Sequence, residues 1–140
     1  RLAGQKPSAQ DWRIAVEKPL VGERSMQQRI IVGNNAIATS GDYRNYFEQD
    51  GVRYSHLIDP TTGYPIKHNL VSVTVVHPSS MTADGLATAL NVMGTEKAKS
   101  LANKLDLAVF MIIKEGDKFS EYASPAFNQY MTETNSTTEE

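Results

Sequence analysis

A chain of 140 residues that is 40% hydrophobic is long enough for one domain with a buried core. Its formal net charge of -2, with the 14 Lys and Arg scattered along the chain, excludes the concentrated basic footprint of a nucleic-acid binder. The absence of cysteine excludes disulfides, thiolate catalysis and sulfur-ligated metal sites, and it leaves the redox compartment open.

Trp12-Arg13-Ile14-Ala15-Val16 alternates bulky with small or polar residues, which predicts a half-buried strand ended by Lys18-Pro19, with Trp12 in the core. Arg29 to Val32 and Ala36 to Thr39 flank Gly33-Asn34-Asn35, a group able to supply positive φ, and this pattern predicts a β-hairpin. Tyr43, Tyr46 and Phe47 lead to a turn at Gln49-Asp50-Gly51 and a strand from Arg53 to Ile58, so this part reads as an antiparallel meander. Asp59 to Pro65 is turn chemistry. Val71-Ser72-Val73-Thr74-Val75-Val76, β-branched and alternating, is expected to be central in the sheet.

A helix is expected from about Thr82 to Met93, with Gly94 as its C-cap. A second follows with Thr95 as N-cap and Ala98, Leu101, Ala102 and Leu105 on its buried stripe. Leu107 to Ile113 and Lys118 to Ala123 form a last hairpin around Glu115-Gly116-Asp117. The expected fold class is α+β: a largely antiparallel sheet with two consecutive helices packed on it. Residues 1–131 read as one unit, and 132–140, which hold no apolar residue, are expected to form a disordered tail.

Three segments could do chemistry. In His56-Leu57-Ile58-Asp59-Pro60-Thr61-Thr62-Gly63 a strand runs into a stiffened turn, and strand alternation would put His56 and Ile58 on one face at the mouth of a pocket. In Thr82-Ala83-Asp84-Gly85-Leu86-Ala87-Thr88, Asp84 and Thr88 are four apart on a helix and both offer the oxygen that a hard cation such as Mg²⁺ selects. Thr39-Ser40-Gly41-Asp42-Tyr43 is a polar turn that could meet a phosphate or ribose.

On spacing alone the ordinary readings lead. Asp59-Pro60 starts a turn with His56 packed at its edge, Asp84 complements a helix N-terminus, and Thr88 bonds back to a carbonyl. His68 and His77 sit in loops without a carboxylate or second imidazole at ligand spacing. Neither a nucleophile elbow nor a P-loop is present.

Taken together and in order, with the strand Ser72 to Val76 between the second and third, the Ala38 to Tyr43 run, the H-x-I-D-P-x-T-G block and the A-D-x-L-A-T block followed by Met93-Gly94 resemble the ApbE family of flavin transferases, also labelled thiamine biosynthesis lipoproteins. The resemblance implies that the chain is the carboxy-terminal part of a larger T-fold-like domain, the other half holding most of the flavin pocket and a backbone carbonyl ligand to the metal.

The same resemblance implies Mg²⁺-dependent transfer of FMN from FAD to a Thr or Ser hydroxyl of a target flavoprotein, with release of AMP. It implies Asp84 and Thr88 as metal ligands, Ile58 as a flavin nucleotide contact, Ser40 and Gly41 as lining of the site, and His56 as the group that helps with proton transfer. The targets implied are flavoprotein subunits of respiratory electron-transfer complexes, and the location is the periplasmic side of the inner membrane as an anchored lipoprotein. Arg1 to Pro7 lacks the apolar core of a signal peptide, so such a signal is expected upstream of Arg1. By itself the chain is expected to be inactive, to bind FAD weakly or not at all, and to self-associate through surface that the other half would cover. The alternatives are a flavin-binding or flavin-trafficking protein without turnover, and a docking domain.

Overall fold

The β-branched run at the middle of the chain organises the molecule, a computed structural model that describes residues 1–17, 26–41, 46–49 and 52–131. The elements in order are β1 (Arg13–Glu17), β2 (Met26–Ile31), β3 (Ala36–Gly41), β4 (Tyr46–Gln49), β5 (Val52–Ser55), β6 (Leu70–His77), α1 (Ser80–Met93), α2 (Thr95–Lys104), β7 (Ala108–Glu115), β8 (Lys118–Ala123) and a 3₁₀ helix (Pro125–Tyr130). β3, β6, β7 and β8 form one antiparallel sheet in that spatial order, which puts β6 inside it as its residues require.

β6 and β7 are buried on both faces because both faces are covered. On one, Val73, Val75, Val109 and Met111 meet Ala87 and Leu90 of α1 and Ala98 and Ala102 of α2. On the other, Val76, Phe110 and Ile112 meet Val16 and Ile30 from the β1–β2 pair, Val32 just after β2, and Phe127 from the 3₁₀ helix. The architecture is α+β, with helices on one side of an antiparallel sheet and a two-stranded ribbon on the other.

The expected hairpin of Arg29–Val32 with Ala36–Thr39 does not form. β2 pairs with β1, and β3 pairs with β6, with the Thr39 and Thr74 hydroxyls 2.9 Å apart. Asn35 donates its backbone N–H (3.2 Å) and its amide (2.9 Å) to the Val32 carbonyl, and Gly33 takes φ +56°. The same turn chemistry that closes a hairpin here passes the chain from one layer to the next.

Trp12 is not core: it is 40% exposed, with the Lys6 ammonium 5.9 Å from its ring centroid. α1 begins two residues before Thr82, because Ser79 caps it by accepting the Thr82 N–H at 3.3 Å. Thr95 is the first residue of α2 rather than its cap, and its hydroxyl donates to Asn69 Oδ1 at 2.9 Å. Leu105 lies beyond the helix and is 53% exposed, while Ala98 and Ala102 are buried as expected. Among the described residues no helix is long and apolar enough to cross a membrane. The expectations for Lys18-Pro19, Asp42-Tyr43, Asp50-Gly51 and the 132–140 tail lie outside the described residues.

Candidate functional site

The chain leaves β5 at Ser55, whose hydroxyl accepts the Leu57 N–H at 3.2 Å, and His56 is exposed at this bend. His56 and Ile58 therefore do not share the face of one strand, as alternation would have it. Ile58 instead makes an antiparallel bridge to Pro65. The loop between them is cross-linked by the Asp59 N–H to the Tyr64 carbonyl (2.9 Å), the Gly63 N–H to the Asp59 carbonyl (2.8 Å) and the Ile66 N–H to the Leu57 carbonyl (3.0 Å). Gly63 adopts φ +73°, a left-handed conformation that a Cβ would strain.

The Asp59 carboxylate accepts the Thr61 N–H at 2.8 Å. Hydrogen bonding by Thr61, side chain first and then backbone, holds its pKa below the ordinary carboxylate value. The large hydrophobic residues that this cross-linked loop exposes are Ile58, 49% exposed, and Tyr64, 72% exposed.

Asp84 and Thr88 occupy the outer side of α1, opposite Ala83, Ala87, Leu90 and Asn91, which are buried. The helix is unbroken from Ser80 to Met93, so residues four apart lie one above the other. Asp84 is the one charged residue in these 14 positions, and among the described residues neither its carboxylate nor the Thr88 hydroxyl has a hydrogen-bond or ion-pair partner. A Cβ added at the neighbouring Gly85 would meet nothing within 4 Å, so the surface beside the pair is open.

These are hard oxygen donors and they fit Mg²⁺ as a partial ligand set. Among the described residues no group of three or more His, Cys, Asp or Glu could hold a metal, so an octahedral ion here would take its other positions from phosphate oxygens, water or further protein oxygens.

Ser40 pairs with Val73 and Gly41 with Ser72. Val73 belongs to the helix-side core, so Ser40 is on the sheet face that α1 covers and Gly41 is at the strand's end. α1 lies over β3 and β6, which brings Ser40 and the Asp84–Thr88 helix to the same side of the sheet.

His56 and Ile58 belong to the segment that enters β6, and that segment meets the end of α1, where the His68 ring lies against Gly94. A cleft of about 270 Å³ opens there, lined by Asp59, Thr61, His68, Met93 and Lys97 among others. Sequence reading passed over His68 because its neighbours come from distant parts of the chain and leave no local pattern.

A model described as "ApbE family" matches residues 1–111. An FAD:protein FMN transferase of Vibrio cholerae is 58% identical over 132 residues, covering 94% of this chain and 40% of that protein. One of Salmonella typhimurium is 48% identical over 128 residues, covering 91% and 37%. The solved flavin transferase ApbE from Vibrio cholerae superimposes with a TM-score of 0.80 at 55% identity, covering 93% of this chain and 41% of that one. The ApbE protein of Thermotoga maritima does so with a TM-score of 0.78 at 34% identity, covering the same 93% and 41%. The chain spans about 40% of the length of the curated relatives it matches. Matched by the family model over most of its length and by these structures over nearly all of it, the chain belongs to the ApbE family.

Proposed function

We propose that this chain is part of an enzyme that moves FMN from FAD to a threonine or serine hydroxyl of a target flavoprotein, with AMP as the leaving group and Mg²⁺ as the metal. The observation that carries the reading is the pair Asp84 and Thr88: two oxygen donors stacked on the open side of one helix, with no cation on that helix to neutralise the carboxylate.

In this reading Asp84 and Thr88 hold the ion. Bound there, Mg²⁺ supplies charge neutralisation for the pyrophosphate. Ile58 gives the flavin nucleotide an apolar contact from a loop braced by its bridge to Pro65, and Ser40 and Gly41 line the site from β3. His56 accepts the proton of the incoming hydroxyl. The hydroxyl oxygen bonds to the FMN-side phosphorus while the bond from that phosphorus to the AMP oxygen breaks, and the electron pair leaves with AMP. A general base so placed is worth about 10²–10⁴-fold in rate. We place the targets among flavoprotein subunits of respiratory electron-transfer complexes, and the whole protein on the periplasmic side as a membrane-anchored lipoprotein.

Mass spectrometry of an acceptor flavoprotein incubated with FAD, Mg²⁺ and the protein at its relatives' full length tests this. An FMN adduct on a hydroxyl is expected, whereas bound but unchanged FAD would favour the carrier. Asp84→Ala should lower kcat by about 10³-fold, the equivalent of the several kcal/mol that a metal's charge stabilisation supplies. Full activity in that variant would defeat the proposal.

A further inference from the structure

The loop that bears His56 and Ile58 is held at its far end as well as by its own cross-links. Gly94, between α1 and α2, takes φ +78° and lies under the His68 ring so closely that a Cβ there would sit 3.2 Å from Cδ2 and 3.4 Å from Cγ. His68 Nδ1 accepts the Leu70 N–H at 3.3 Å, which leaves Nε2 to carry the proton of the neutral ring. The next residue, Asn69, accepts the Thr95 hydroxyl at 2.9 Å through its side chain and the Lys114 N–H at 2.8 Å through its carbonyl. The end of α1, the first residue of α2 and β7 thus all grip the segment that enters β6.

Across the same corner lies Asn91, fully buried on α1, whose carbonyl accepts the Gly94 N–H at 3.2 Å. His68 Nε2 and both amide atoms of Asn91 are buried without a hydrogen-bond partner among the described residues. Buried polar groups left unpaired are costly to the fold.

We infer that His68, seated on Gly94, is a positioning residue for the proposed transfer. It fixes the 56–66 loop to the last turn of the helix that bears Asp84 and Thr88. Because the loop is a single cross-linked unit, holding its end holds His56 and Ile58 in constant relation to that pair. The corner takes glycine for two reasons: a side chain at φ +78° is strained, and its Cβ would push the imidazole, and the loop with it, away from the helix. This inference rests on the functional reading above.

The test makes Gly94→Ala and His68→Ala, singly and together, in the protein at its relatives' full length. Each single variant should lower kcat about 10²-fold, the scale of a misplacement of an ångström. The Mg²⁺ concentration for half-saturation should stay unchanged, since both proposed metal ligands are on α1. The double variant should lose no more than the worse single one, because the two act through one contact.

In the 140-residue chain, amide exchange at Asp59, Gly63 and Ile66 should accelerate in either variant, while Val109 and Met111 of β7 stay protected. Unchanged kcat, additive losses, or a fall in kcat accompanied by a weaker metal requirement and faster exchange in β7 would overturn it. Should the unaltered protein transfer no FMN, the functional reading fails by itself. The exchange arm then decides the clamp, and slow exchange in both variants would sink it.

Discussion

Asp59 shows how much one side chain of the motif is set locally. Its carboxylate is held by Thr61 in the same tight turn, so its ionised form is favoured in the folded chain. A carboxyl group with a depressed folded value contributes stability that is fully present above its unfolded value, near 3.8, and is lost as pH falls through the lower folded value. An NMR titration of the Asp59 carboxyl carbon should therefore give a midpoint below 3.8, moving up towards it in Thr61→Ala. A midpoint unmoved by that substitution would show that the Thr61 hydroxyl is not the main cause, since the Thr61 N–H remains in the variant. This turn was legible in the sequence, because Asp-Pro followed by Gly encodes its geometry within five residues. The position of His56 was not, because its place depends on β5 ending at Ser55 rather than running through to Ile58.

Among the elements, α1 and the β7–β8 hairpin follow from their own residues, and the 3₁₀ helix at Pro125–Tyr130 does not. Six residues give no useful periodicity, yet Phe127 in this short piece is fully buried, its ring centroid 5.5 Å from Phe110 and 6.2 Å from Tyr130. It closes the end of the core between the sheet and the β1–β2 ribbon. Phe127→Ala should cost about 3–5 kcal/mol. Urea unfolding would show this as a lower midpoint with an unchanged slope, and a cost below about 1 kcal/mol would mean that the 3₁₀ helix is not part of the cooperative unit. The misread hairpin is the converse case: a good turn at Gly33–Asn35 joins two strands that belong to different layers, Ile30 of β2 and Ile37 of β3 meeting across the core between them.

At the scale of the whole molecule the site is assembled from one side only. In the proposed function, two oxygen donors on α1 and one loop from β5 would not enclose a dinucleotide, and the curated relatives are far longer than the matched segment. Isothermal titration of the 140-residue chain with FAD and Mg²⁺ should accordingly show no micromolar binding. A micromolar isotherm would mean that these residues suffice for the pocket.

The stacking of Asp84 on Thr88, the tight turn after Asp59 and the central place of β6 were determined by the sequence alone, because each depends on periodicity or turn geometry over a few neighbouring residues. The pairing of β2 with β1 and of β3 with β6, and the seating of His68 on Gly94, were decided by tertiary structure. The β3–β6 and His68–Gly94 contacts join segments tens of residues apart, and the β1–β2 partners lie 9 to 18 residues apart. Which of several compatible surfaces meet is settled by burying both faces of the sheet at once, a condition that no local pattern encodes.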